Sequence, residues 1–111
     1  MGRTTYVVNE LLAAEADRDD IIEYLISEES LQTGLYVGRE LVRRSATLNN
    51  FPQRHERIPL NPSDPREVRR MPVWSYIIIY RIDESAKRVV ILGVFDARQS
   101  PGRLDSVLSR A

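Results

Sequence analysis

The sequence predicts one α+β domain spanning residues 1–111: an N-terminal strand, a two-helix hairpin, then a three-stranded antiparallel meander forming one sheet packed against the helices. Three observations carry this reading. Apolar residues between Leu11 and Leu48 recur mostly at helical spacing, and the stretch from Val73 to Phe95 holds two apolar runs joined by a short polar turn. No repeat, low-complexity tract or long linker divides the 111 residues.

RTTYVV, residues 3 to 8, is β-branched and aromatic and predicts the first strand, with Asn9 placed to cap the helix that follows. From Glu10 to about Ser27, Leu11, Ala14, Ile21, Ile22 and Leu25 mark an apolar stripe, and Asp17, Asp19, Asp20 and Glu23 read as its solvated face. Ser30 can cap a second helix, in which Leu31, Leu35, Leu41, Val42, Ser45 and Leu48 keep helical spacing until Phe51-Pro52 stops it. Gly34 and Gly38 lie four apart, so the two helices are expected to approach closely there despite a propensity cost of roughly 1 kcal/mol each.

The proline-rich stretch PQRHERIPLNPSDP, residues 52 to 65, predicts a surface loop. Arg66 to Met71 reads as a strand, and Pro72 confines pairing there to an edge or an interruption. Val73 to Ile82 follows as a central strand, because consecutive apolar residues in IIIY need cover on both faces. DESAK is the turn and RVVILGVF, residues 88 to 95, the returning strand; DARQSPGRLDSVLSRA ends in a short helix or frays.

Composition narrows the chemistry. With no cysteine, neither a disulfide framework nor a thiolate metal site is available, and packing must hold the fold. A formal net charge of zero argues against a protein that binds nucleic acid mainly through bulk positive charge. That average conceals a division: residues 1 to 35 hold two arginines against eight acids, a balance of −6, and residues 36 to 111 hold fourteen cations against eight acids, +6. Fifteen of the sixteen cations are arginine, whose planar fork suits carboxylate or phosphate. The start MGRTTYVVNELL lacks a basic segment followed by an apolar one, and no apolar run approaches the roughly 20 residues that cross a bilayer, so the expected location is the cytoplasm without a membrane partner.

The usual catalytic signatures are missing. His55, the single histidine, has no HExxH companion, no GxSxG turn occurs, and the five glycines form neither a P-loop nor GxGxxG, so no metal and no cofactor is expected. Trp74 and Tyr76 could stack on unpaired bases, although core or edge packing explains them more simply. The arginines are more informative: Arg69 and Arg70 precede the central strand, Arg81 ends it and Arg98 follows the last strand, so sheet geometry could gather several into an anion site. Such a site would stabilise negative charge, but arginine stays protonated and another residue would have to move protons.

Four segments resemble the toxins of the RelE/ParE superfamily of bacterial type II toxin–antitoxin systems, over nearly the whole chain. Ala14, Asp17, Ile21 and Tyr24 match the family's A-x-x-D-L-x-x-I-x-x-Y helix, with Arg18 in place of its leucine, and LNNFP at Leu48 to Pro52 is similar to its L-x-x-F-P. Arg66 to Asp83 is similar to the strand pair that closes in Y-x-I-x-Y-R-x-D, and VVILGVFDARQSP to the last strand and the arginine segment after it. The first three segments look ParE-like. That branch implies a toxin that inhibits DNA gyrase and replication without a cofactor, more a binder than an enzyme, neutralised by a cognate antitoxin of ParD-like, ribbon-helix-helix type through which alone it meets operator DNA. Its tail from about residue 97 would then be flexible or antitoxin-dependent, and Arg69, Arg70, Arg81 and Arg98 would contact antitoxin or target. The RelE-like alternative is a ribosome-dependent messenger RNA endonuclease using Arg70, Arg81 and Arg98, with Tyr80 or His55 to move protons; a non-toxic antitoxin-binding homologue is the third. Phe95 or Asp96 stands where ParE-like chains often carry a histidine, and the tail beyond Phe95 has no histidine, tyrosine, lysine or glutamate, which weakens the endonuclease reading.

Overall fold

A strand whose consecutive side chains are all apolar is stable only if both its faces are covered. Two segments set that demand, since Tyr76 to Tyr80 and Val89 to Phe95 are buried throughout. The computed structural model describes residues 5–99 and 101–111. In chain order its elements are β1 (Val7–Glu10), α1 (Leu12–Glu28), α2 (Leu31–Ala46), β2 (Glu56–Arg57), β3 (Glu67–Val73), β4 (Tyr76–Asp83), β5 (Arg88–Asp96) and α3 (Gly102–Leu108), with 3-10 turns at Thr47–Asn49 and Pro52–Arg54. Residues 3 and 4 of the predicted first strand lie outside the described residues.

The sheet has five strands in the order β1-β5-β4-β3-β2. β3, β4 and β5 form the predicted antiparallel meander. The sheet is nevertheless mixed and larger than three strands: β1 runs parallel to β5 from Val7↔Arg88 to Glu10↔Ile91, and β2 adds two residues outside β3. A meander alone leaves β5 with a bare edge, and β1 covers its first half.

Each face has its own cover. Ala14, Val37, Leu41 and Leu48 of the helical hairpin and the turn after it pack on Met71, Ile78, Tyr80 and Ile91. On the reverse face, Val107, Leu104 and Leu108 of α3, with Ile58 and Leu60, cover Ile77, Ile79, Val90, Leu92 and Phe95. The tail is therefore a helix that completes a second core. No described helix is long and apolar enough to cross a membrane.

Several local expectations change. Asn9 is spent in β1, and α1 begins after Leu11 with no side-chain cap, whereas Ser30 caps α2 through Thr33 N at 3.0 Å. The buried stripe of α2 is Gly34, Val37, Gly38 and Leu41, while Leu31, Leu35 and Val42 are exposed. The glycines decide this: a Cβ on Gly34 would lie 2.9 Å from the Ile22 carbonyl oxygen, so the helices meet along the glycine row. Trp74 and Ser75 form the turn between β3 and β4, and β4 starts at Tyr76. The loop of residues 52 to 65 also contains β2 and a buried Pro52, whose carbonyl accepts from Tyr80. Pro72 does lie at an open edge, since β2 pairs only with Arg69 and Arg70.

Candidate functional site

Alternation along the strands sorts the site residues before any contact is counted. Tyr76, Ile78, Tyr80 and Ile82 of β4 face the helical hairpin; Ile77, Ile79 and Arg81 face α3. On β3, Arg69 pairs with Tyr80 on the hairpin side, while Val68 and Arg70 face α3. Because Val68 pairs with Arg81, and Arg70 stands two residues further along β3, Arg70 and Arg81 are diagonal neighbours on one face.

The gathering of predicted arginines thus stops at two. Arg69 sits on the other face, bonded to Glu67 Oε2 at 2.8 Å and the His55 carbonyl at 2.6 Å. Arg98 follows β5 at the end where Asp96 pairs with Tyr76, roughly 17 Å along the strand from Arg81, and forks onto Asp96 at 2.6 and 3.0 Å. That pairing holds the Asp96 carboxyl below the usual carboxylate range. Arg81 donates to the Ala111 carbonyl at 3.0 Å, and Arg70 stands 3.7 Å from exposed Glu56.

Tyr80 and His55, the two residues named above for proton transfer, lie away from this pair. Tyr80 is fully buried, its hydroxyl donates to the Pro52 carbonyl at 2.6 Å, and burial pushes its pKa up to about 12. His55 meets Tyr80 edge to face with ring centroids 6.4 Å apart, on the hairpin side. Burial, followed by the positive charges of Arg54, Arg44 and Arg69, pushes the His55 pKa down, and its Nε2 is buried without a partner among the described residues. Among the described residues no group of three or more histidine or acidic side chains could hold a metal ion.

A hollow of about 760 Å³ opens at the far end of β5 between α1 and the segment after the strand, lined among others by Asp17, Asp20, Tyr24, Tyr76, Arg98 and Arg103. Its floor is an ionic knot that sequence reading missed. Asp17, read above as part of a solvated helix face, is only 6% exposed. β1 pairs with β5 only as far as Ile91, which leaves backbone groups beyond it without a strand partner. Asp17 Oδ2 accepts from Val94 N at 3.1 Å and from Arg110 at 2.6 Å, and Arg110 donates in turn to the Leu92 carbonyl at 2.9 Å. Arg103 reaches Asp17 Oδ1 at 3.3 Å. The charge is buried because it stands in for the missing strand and two guanidiniums compensate it. A signal was present: Asp17 lies three residues after Ala14 and four before Ile21, on the apolar stripe itself.

A family model described as the ParE toxin of the type II toxin–antitoxin system parDE matches residues 11–101. No curated protein sequence matches the chain. Among solved structures, the chromosomal ParDE toxin–antitoxin system from P. aeruginosa is similar, with TM-score 0.68 at 19% identity, covering 84% of this chain and 97% of that one. The RelBE2 toxin–antitoxin complex from Mycobacterium tuberculosis has TM-score 0.60 at 21% identity, covering 84% and 92%. The archaeal RelE–RelB complex from Pyrococcus horikoshii OT3 has TM-score 0.59 at 15% identity, covering 86% and 99%. At these identities the likeness establishes the fold.

Proposed function

The chain belongs to the ParE toxin family of type II toxin–antitoxin systems, and from that premise we propose that it arrests growth by binding DNA gyrase and blocking replication, and that a cognate antitoxin silences it by direct binding. It acts as a binder, in the cytoplasm, and not as a phosphodiesterase. The observation that supports this choice is the parity of β4. Tyr80 and Arg81 are adjacent and therefore project to opposite faces of the sheet, with Tyr80 and His55 under the hairpin and Arg70 and Arg81 toward α3. Cleaving a phosphodiester needs the proton-transfer group and the charge-stabilising group on one reacting phosphate. A buried tyrosine with its hydroxyl committed to Pro52 and a pKa of about 12 is a poor base.

Arg70, Arg81 and Arg98 are the arginines assigned to antitoxin or target, because the Arg69 side chain is largely buried against Glu67 and the His55 carbonyl, whereas Arg98, although paired with Asp96, is exposed. The expected antitoxin is ParD-like, pairing a ribbon-helix-helix part that meets operator DNA with an acidic segment that meets the arginines. The ParDE and RelBE assemblies of similar structures fit a partner of this kind.

The test is a supercoiling assay with purified, antitoxin-free protein, run beside an assay of ribosome-bound message. The expected result is loss of gyrase supercoiling with message intact, reversed by antitoxin. Unaffected gyrase at excess protein, with cuts at codon positions, would overturn the proposal in favour of the endonuclease.

A further inference from the structure

The side of the helical hairpin turned away from the sheet carries an apolar seam that the fold does not use. Leu31, Leu35 and Val42 of α2 are 60%, 46% and 49% exposed, and at 3.6 residues per turn they lie within roughly 40° of one another around the helix. The seam starts one step outside the glycine row, where Ile26 of α1, against Gly34, is itself 38% exposed. None of the four belongs to either core. Apolar residues scattered singly over a surface need no explanation, but a row along one helix does.

Opposite charges flank the seam. On α1, Glu15, Asp19 and Glu23 follow one another at four-residue spacing, all exposed and, among the described residues, without an ion pair. Like charges at that spacing repel and weaken the helix that carries them. On α2 the seam is bordered by Arg39 and Arg43. Arg39 is exposed and forms no ion pair among the described residues, and Arg43, although tied to Glu40, keeps 64% of its side chain exposed. Gly38 lies against Ile22 and Gly34 against Ile26, so along the antiparallel hairpin Asp19 is about level with Arg39 and Glu15 with Arg43.

We propose that this face pairs with the same face of a second copy of the chain, about a two-fold axis that runs along the hairpin between the two layers. Such an axis keeps each level and exchanges the sides. The two seams meet at the centre, and α1 of each copy lies over α2 of the other, with Asp19 facing Arg39 and Glu15 facing Arg43 across the interface. The acids that repel one another within a chain thereby gain arginines, twice per dimer. An acidic segment or a nucleic acid would set its charge against Glu15, Asp19 and Glu23, and a basic segment would meet Arg39 and Arg43; a second copy offers both signs in the matching order. Helices of 17 and 16 residues side by side present a face about 25 Å long and about 20 Å wide, on the order of 500 Å² per copy. That is less than the roughly 800 Å² per partner of a standard interface, so the dimer is weak and reversible. The assignment is independent of which target the toxin acts on, since it uses none of the arginines given to antitoxin or target above.

The test is sedimentation velocity of the full, antitoxin-free chain over concentrations from about 1 to about 500 μM, a range that spans weak association. The expected result is a monomer–dimer equilibrium with a micromolar dissociation constant that weakens as salt is raised. Leu35→Glu, Asp19→Arg and Arg39→Asp should each weaken it about tenfold or more, the last two because each sets two like-charged pairs in every dimer. An equimolar mixture of the Asp19→Arg and Arg39→Asp variants should dimerise like the wild type, since each introduced arginine then faces an introduced aspartate while the native pair is kept. All three positions are exposed, so circular dichroism should match the wild type and separates lost pairing from lost folding. Protein that stays monomeric throughout the range would overturn the proposal and leave the seam to a different partner. A dimer that Leu35→Glu leaves intact, or a mixture that stays monomeric, would overturn it equally.

Discussion

Asp17 and Arg110 meet at 2.6 Å although 93 positions separate them in the chain, and with Leu92 and Val94 they finish the edge of β5 that β1 leaves bare. One carboxylate thus ties together α1, the sheet and the residues after α3. Removing it strands two guanidiniums, one of them largely buried. Asp17→Ala should lower stability by about 3 kcal/mol and the thermal midpoint by on the order of 10 °C. Asp17→Asn, which can still accept from Val94, should lose less. Urea denaturation of the two variants beside the wild type measures the order.

The two glycines of the hairpin should respond differently to alanine. A Cβ at Gly34 meets the Ile22 carbonyl oxygen at 2.9 Å, which only separation of the helices can relieve. At Gly38 the obstacles are Cδ1 and Cγ1 of the Ile22 side chain, which can rotate. Gly34→Ala should therefore cost roughly 2 kcal/mol, whereas Gly38→Ala should stay within about 1 kcal/mol of wild type because helix propensity offsets the crowding. Equal denaturation midpoints for the two variants would count against this packing.

Tyr80 should govern alkaline stability. Its pKa is raised from 10.0 to about 12 in the folded chain, so the folded state holds the proton more tightly. Its contribution is complete below pH 10 and is lost as pH rises toward 12. Tyr80→Phe should be weaker at neutral pH by about 1–2 kcal/mol, since the Pro52 carbonyl loses its donor. The gap to wild type should narrow above pH 10. Tyr76, also raised by burial, leaves some alkaline slope in the variant. Denaturant midpoints between pH 8 and pH 11.5 follow the gap.

His55 works in the opposite direction. Burial and three arginines depress its pKa below the ordinary 6.5, so the unfolded chain takes up the proton first. Stability from this group is present above pH 6.5 and is lost as pH falls through the folded value. As the only histidine, it gives a single ring-proton titration by NMR, with an expected midpoint below 6.5 that rises in Arg44→Ala. His55→Gln should flatten the acid limb of stability.

Most elements were legible because they follow local rules. Unbroken apolar runs marked β4 and β5, Ser30 marked the start of α2, and the glycine spacing marked a close helix pair. The strand β2 was not legible, since two residues carry no periodicity, and the parallel pairing of β1 depends on a partner about 80 positions away. Trp74 reads as strand by composition but lies in the turn, since register between β3 and β4 is set by pairing and not by one residue's preference.

The sequence by itself determined the α+β order, the central place of β4 and, through four matching segments, the toxin family. Tertiary structure alone decided what charge does. An acidic residue on a helix looks solvated until the sheet edge it completes is known, and four arginines look like one cluster until strand parity and strand length place two on one face, one on the other and one at the far end. Helical and strand periodicities are local properties of the chain. Desolvation and charge pairing depend on which distant segments pack together, so they appear only once the chain has closed.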